Sequence, residues 1–127
     1  MKISVTDPPR EFEVGFEQRV KILDSAHIQL ESNEQITLTS ESGTEFDVVK
    51  KDWGYYATPS LNSRLPRFGL YPILVRNRLQ HYFVVLLEKG KEVEFEQYVD
   101  LERLEIVAHL ADERHLERIA RNLTNHE

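Results

Sequence analysis

A seven-residue stretch, Leu104-Glu105-Ile106-Val107-Ala108-His109-Leu110, decides the fold of this chain. Ile106, Ala108 and Leu110 recur at every second position, as apolar residues do along one face of a strand. In a helix, Leu104 and Val107 would instead share a face with Ala108. We favour the strand, which makes this stretch the last strand of a sheet rather than part of one long helix.

With this strand, the elements from Tyr55 onward form a known supersecondary order. Upstream we predict an extended segment at residues 55–57, a short helix from Thr58, strands at residues 70–75 and 81–87, and a helix at residues 91–101. The resulting order is β-α-β-β-α-β, which is ferredoxin-like. The near-continuous apolar run at residues 81–87 is typical of a central strand that is buried on both faces.

The short helix has start and stop signals in the sequence. The Thr58 hydroxyl can cap free backbone N–H groups, and Pro59 at the first helical position loses no hydrogen bond. Gly69 supplies the stop. Three residues at helical spacing would form the buried face: Leu61, Leu65 and Phe68. Pro66 interrupts this pattern and should shorten or kink the helix.

Residues 1–49 have the pattern of an antiparallel β meander. The best-defined part is a hairpin from Gln35 to Val49, with a turn at residues 41–44. We expect the first ten residues, which contain Pro8 and Pro9, to be extended and loosely held.

Residues 112–127 are predicted to form a C-terminal helix. Apolar residues recur there at helical spacing: Leu116, Ile119, Ala120 and Leu123. No linker or repeat divides the chain. We therefore predict a single α+β domain over residues 1–127, in which β-rich residues 1–49, α/β residues 50–111 and the C-terminal helix share one core.

The composition limits the chemistry and the location of the protein. Its 127 residues include no cysteine, which excludes disulfides, thiolate nucleophiles and cysteine zinc sites. No apolar run approaches the roughly 20 residues needed to cross a bilayer, and the N-terminus lacks the apolar core of a secretory signal. We therefore expect a cytoplasmic protein with no membrane partner.

Positive charge is concentrated in one quarter of the chain. Residues 50–81 carry six basic side chains and one acidic side chain, whereas the whole chain has a net charge of −6. Such an asymmetry can mark a site for an anionic partner. Ordinary solubilising arginines that pair with neighbouring glutamates would give the same pattern.

The basic segment also holds the candidate binding site. Trp53 lies beside two tyrosines in a turn, and aromatic rings with polar handles suit planar or sugar-like ligands. A helix start at Thr58–Ser60 would offer free N–H groups to an anion. The predicted ligand-binding residues are Trp53, Tyr55, Thr58, Ser60, Asn62, Arg64 and Arg67. Alternatively, Trp53 and Tyr56 fill the core and Thr58 only caps the helix.

No catalytic or cofactor signature accompanies this segment. The sequence contains no Gly-x-Ser-x-Gly elbow, no glycine-rich phosphate loop and no dinucleotide fingerprint. The spacing of His109, Asp112 and His115 does not suit a compact metal site. We predict no catalytic residue, no metal and no cofactor. The acidic net charge and the lack of an RNA-binding aromatic motif argue against nucleic acid as a partner.

The segment from Lys51 to Leu65, KDWGYYATPSLNSRL, resembles a small family of bacterial proteins. The likeness extends through Phe68-Gly69 and residues 75–77, and it covers about half of the chain. The resemblance implies a bacterial protein whose relatives are encoded beside genes for nucleotide sugars and surface polysaccharides. It implies no reaction and no catalytic residue.

These observations favour a non-catalytic accessory or binding protein that recognises an anionic, phosphorylated sugar-type ligand. The second hypothesis is a protein–protein interaction module. It would form a homodimer or dock a partner through exposed strand edges and the helix at residues 116–123. A small sugar-modifying enzyme is a third class, but no motif supports it.

Overall fold

A computed structural model describes residues 1–124 of the chain, and residues 125–127 lie outside the description. The described strands are β1 (Lys2–Val14), β2 (Val20–Gln29), β3 (Gln35–Thr39), β4 (Glu45–Lys51), β5 (Gly54–Tyr56), β6 (Leu70–Arg76), β7 (Tyr82–Glu88) and β8 (Glu105–His109). The helices are α1 (Arg64–Arg67), α2 (Glu92–Glu102) and α3 (Glu113–Thr124). The mixed α+β class and the C-terminal helix are confirmed.

The strands form an N-terminal hairpin and two three-stranded sheets, and all neighbours within them are antiparallel. Within residues 1–124, strands β1 and β2 pair only with each other, the second sheet has the order β3-β4-β5, and the third has the order β7-β6-β8. The predicted hairpin from Gln35 to Val49 is confirmed as β3 and β4. From β5 onward the elements follow the predicted β-α-β-β-α-β order, with β5 paired to β4 rather than to the third sheet.

The stretch from Leu104 to Leu110 contains strand β8, which pairs antiparallel with β6. Ala108 lies opposite Leu74 and is buried. The pairing continues beyond β8, where the Leu110 N–H donates a hydrogen bond to the Pro72 carbonyl at 3.0 Å. Ala108 and Leu110 are buried, as the period-two pattern predicted, whereas Ile106 is 39% exposed and lies beyond a shift in register between Leu74 and Val75.

The central strand is β6, and the prediction that residues 81–87 form the central strand is wrong. Strand β7 lies at the edge of its sheet, and the side chains of Tyr82, Phe83 and Val84 are exposed. Strand β6 contributes the core residues Leu70, Ile73 and Val75. The apolar run of β7 is stronger than that of β6, which contains Pro72, so local hydrophobicity does not identify the central strand.

Helix α1 begins at Arg64, six residues later than predicted. Pro66 is the reason, because a proline ring clashes with the carbonyl of the residue four positions earlier, here Asn62, when both are helical. Pro66 is the third residue of α1 and therefore lies in its first turn. Backbone N–H groups in the first turn have no acceptor within the helix, so the lack of an N–H in proline costs no hydrogen bond there. Leu65 is fully buried and packs α1 against β6. Gly69 follows with φ 86°, which confirms the predicted stop.

Candidate functional site

The aromatic turn between β4 and β5 lies on the surface. Trp53 is 66% exposed and packs edge-to-face on Tyr56, with ring centroids 5.3 Å apart. Tyr56 is itself 57% exposed. The alternative that these two rings fill the core is therefore wrong, and they form an aromatic patch that is open to solvent.

Tyr55, which the sequence grouped with Trp53, lies on the other side of its sheet. Successive side chains of a strand point to opposite faces, so Tyr55 and Tyr56 diverge. Tyr55 lies opposite Lys50, whose Nζ is 5.4 Å from the centre of the Tyr55 ring. The structure thus brings Trp53 together with Tyr56 and not with Tyr55.

Arg64 already has two partners within the chain. Its Nε lies 3.2 Å from Asp47 Oδ2 on β4, and its guanidinium stacks 4.6 Å from the centre of the Phe68 ring. Asp47 also accepts a hydrogen bond from the Thr37 hydroxyl at 2.8 Å. Arg64 therefore ties α1 to β4.

The predicted helix start does not form an anion site at Thr58–Ser60. No helix covers residues 58–63, of which only residues 61–63 form a turn, and the Ser60 hydroxyl accepts a hydrogen bond from the Arg64 N–H at 2.7 Å. Thr58 is half-buried and Asn62 is exposed. Ser60 thus serves the start of a four-residue helix instead of leaving its N–H groups free for a ligand.

Arg67, the last predicted site residue, borders a polar cleft of about 350 Å³. The residues that line this polar cleft are Ser42, Gly43, Thr44, Arg67, Phe68, Gly69 and Lys89. Within residues 1–124, neither Arg67 nor Lys89 forms an ion pair, whereas Arg64, Arg76 and Arg78 pair with Asp47, Glu105 and Glu17. The polar cleft therefore has two cationic side chains, Arg67 and Lys89, that no carboxylate within residues 1–124 neutralises by an ion pair.

Glu88 lies beside the polar cleft and adds hydrogen-bond acceptors to the donors that Arg67 and Lys89 supply. Its carboxylate accepts hydrogen bonds from the hydroxyls of Ser42 at 3.0 Å and Thr44 at 3.2 Å. Hydrogen bonds from the hydroxyls of Ser40, Ser42 and Thr44 lower the pKa of Glu88. An ionised carboxylate beside two cations suits a ligand that carries both an anionic group and hydroxyls.

A second, apolar cleft of about 500 Å³ lies between the β1–β2 hairpin and the third sheet. The hairpin contributes apolar side chains that include Val14, Val20 and Ile22. The opposite wall comes from β6, β7, α2 and the α2–β8 connection: Val75, Phe83, Val84, Val85, Tyr98 and Leu104. This cleft is the seam along which the hairpin meets the rest of the chain.

Glu102, at the end of α2, closes one end of the apolar cleft. It is only 4% exposed, and its carboxylate accepts hydrogen bonds from three consecutive N–H groups of the β1–β2 turn, those of Phe16, Glu17 and Gln18, at 2.8, 3.4 and 3.3 Å. These bonds, that of Phe16 first, lower the pKa of Glu102. Gly15 enters the turn with φ 104°, and a Cβ there would clash with the Gln18 carbonyl.

The rest of the hairpin exposes paired apolar side chains, a feature that the sequence analysis missed. Ile3 lies opposite Ile28, and Val5 lies opposite Ala26. Ile3 is 58% exposed and Val5 is 75% exposed. The alternation of Ile3 and Val5 with Ser4 and Thr6 is the local signal for this strand, and the prediction of a loosely held terminus is wrong because residues 2–14 form the paired strand β1.

The whole chain exposes much more surface than a compact monomer. Its accessible area is 9541 Å², whereas a folded monomer of 14.9 kDa exposes about 7,000 Å². Exposed apolar residues also occur on α3, including Ile119 and Leu123. An excess of about 2,500 Å² is large compared with the roughly 800 Å² per partner that a standard protein interface buries.

The described residues hold no metal cluster. In residues 1–124 no group of three or more histidine, aspartate or glutamate side chains could hold an ion. His115 Nδ1 instead accepts a hydrogen bond from the His109 backbone N–H at 3.0 Å. His126 lies outside the described residues. No helix of residues 1–124 is both long and apolar enough to span a bilayer.

No protein family, curated protein or solved structure matches the chain. The resemblance of residues 51–65 to a bacterial family stays a prediction. Function is therefore inferred from the residues and their geometry.

Proposed function

We propose that this chain is a non-catalytic protein–protein interaction module of the bacterial cytoplasm that works as a homodimer. The observation that carries the proposal is the exposed apolar surface of the β1–β2 hairpin, where Ile3, Val5 and Ile28 face solvent as cross-strand neighbours. Burying such side chains is favourable by about 25 cal/mol per Å². A second copy is the partner that is always present at the same concentration.

The hairpin has a further reason to need a partner. A two-stranded hairpin is only marginally stable in water, and packing on another element is what makes such a unit stable. The turn end of the hairpin is held by Glu102, while the end that contains Ile3 and Ile28 is exposed.

Sedimentation equilibrium over a wide dilution range tests this proposal. We expect twice the chain mass of 14.9 kDa, with reversible dissociation on dilution. An Ile28→Glu substitution should raise the dimer dissociation constant at least tenfold, because an unpaired charge would be buried, at a cost of more than about 1.4 kcal/mol. Gln29→Glu is the matched control, since Gln29 is on the other face of the same strand. A wild-type protein that stays monomeric at millimolar concentration contradicts the proposal.

A second candidate function is recognition of an anionic, phosphorylated sugar-type ligand at the polar cleft. The observation that favours it is the pair of cations, Arg67 and Lys89, next to the hydroxyls of Ser42 and Thr44. A phosphate group would pair with the cations, and sugar hydroxyls would donate to Glu88. The test is a thermal-shift screen with sugar phosphates, in which a bound ligand raises the melting temperature.

A further inference from the structure

We infer that the two copies join edge to edge through β2, which pairs antiparallel with β2 of the partner subunit about a two-fold axis at Ser25. The result is a four-stranded sheet in the order β1-β2-β2-β1, in which the pairing of β2 with its own β1 is interrupted opposite Ser25. This inference rests on the proposed homodimer and adds the surface and the register by which the copies meet.

The two edges of the hairpin differ in their capacity to accept another strand. Strand β1 contains Pro8 and Pro9, which have no N–H to donate, and its register with β2 shifts between Val5 and Arg10. Prolines and irregularities are the features by which proteins block sheet edges. Strand β2 has ten residues, with neither proline nor glycine. The available edge is therefore that of β2.

The outer edge of β2 carries backbone groups that no other strand satisfies. Among residues 1–124, β1 is the sole strand that pairs with β2. Each strand of an antiparallel pair directs about half of its N–H and C=O groups away from its neighbour. Pairing with a second copy would satisfy these groups and would convert a marginal two-stranded unit into a four-stranded sheet.

The charged side chains of β2 do not oppose this pairing. Lys21 lies 3.5 Å from Glu11 of β1, and Asp24 lies 3.2 Å from Arg10 of β1. A lysine on an edge strand normally repels an incoming strand. Here each charge has a partner of opposite sign on the adjacent strand, so β2 presents little net charge.

Symmetry limits the register to a few choices. In an antiparallel pair with a perpendicular two-fold axis, one residue must lie opposite its own copy. An axis at Asp24 would place two carboxylates opposite each other, which destabilises a sheet. An axis at Ser25 pairs two small hydroxyl residues and sets Ile22 opposite Ile28 of the partner subunit. Overlap then extends from Lys21 to Gln29, nearly the whole strand.

Single cysteines test this register, because the natural chain has no cysteine. In Ser25→Cys protein, the two thiols should lie opposite each other with Cα atoms about 5 Å apart, within disulfide range. Mild oxidation should therefore give a covalent dimer. Gln29→Cys is the matched control on the same strand. Its two copies would be eight residue steps, or about 26 Å, apart and should not cross-link.

A spin-label distance at Gln29→Cys provides a second measurement that needs no disulfide. The expected value is about 26 Å between backbone positions, lengthened by the label arms. A wild-type dimer in which Ser25→Cys does not cross-link, or in which both cysteines cross-link equally, overturns the β2 pairing but leaves the homodimer intact. A monomeric wild-type protein overturns both.

Discussion

The Glu102 carboxylate accepts a hydrogen bond from the backbone N–H of Phe16 at 2.8 Å, which links the end of α2 to the turn of the β1–β2 hairpin. Arg78 strengthens the same junction, because its guanidinium stacks 4.6 Å from the centre of the Phe16 ring and pairs with Glu17 at 3.0 Å. This junction fixes the turn end of the hairpin to the end of α2.

Replacement of Glu102 by alanine should destabilise the protein. The variant leaves three backbone N–H groups of the turn without their acceptor, and we expect the melting temperature to fall by roughly 5–10 °C. Circular dichroism melting measures this change. Glu96→Ala, on the exposed part of α2, is the matched control and should shift the melting temperature by less than about 2 °C. Equal melting temperatures of the two variants would mean that the hydrogen bonds of Glu102 to the hairpin turn contribute nothing to stability.

Acid should weaken the same junction. The pKa of folded Glu102 lies below its ordinary value of 4.5, because the carboxylate accepts the N–H bonds of Phe16, Gln18 and Glu17. Its contribution to stability is therefore complete above about pH 5 and is lost as the pH falls through the lowered pKa. Urea unfolding between about pH 3 and pH 7 measures this loss. In the Glu102→Gln variant, the free energy of unfolding should depend less on pH below about pH 5. A slope equal to that of the wild type would contradict the assigned role of Glu102.

The sequence predicted those elements whose patterns are local. Strand β8 and the β3–β4 hairpin follow from alternation over five to seven residues, and Gly69 marks the end of α1. The opposite faces of Tyr55 and Tyr56 also follow from alternation along β5, which separates Tyr55 from the other aromatic residues of the predicted site.

Features that depend on distant partners could not be predicted. The choice between β6 and β7 as the central strand depends on which of them β8 pairs with, and the stronger apolar run of β7 indicates the wrong one. The contact between Glu102 and Phe16 spans 86 positions and has no local signal. The sequence predicts that Pro66 shortens or kinks its helix, but its effect falls upstream, where α1 begins at Arg64 and no helix start lies at Thr58–Ser60.

Truncation of Leu65 should cost more stability than truncation of an exposed leucine. Leu65 is fully buried between α1 and β6, so Leu65→Ala leaves a cavity and should lower the free energy of unfolding by about 2–5 kcal/mol. Leu79 is 56% exposed, and Leu79→Ala should change the free energy of unfolding by no more than about 0.5 kcal/mol. Urea denaturation of both variants gives the comparison. A cost below about 1 kcal/mol for Leu65→Ala would contradict the packing of α1.

Two neighbouring arginines should differ in their effect on anion binding. Arg64 is engaged by Asp47 and Phe68, whereas Arg67 borders the polar cleft with Lys89. Titration calorimetry with glucose 6-phosphate should show weak binding that Arg67→Ala reduces at least fivefold, since a charge-assisted hydrogen bond contributes about 1–3 kcal/mol. Arg64→Ala, the matched control, should bind within about twofold of wild type, because its guanidinium does not face the cleft. Equal losses in the two variants would move the site away from the polar cleft. Wild-type protein that binds no sugar phosphate would remove the second candidate function and leave the homodimer unaffected.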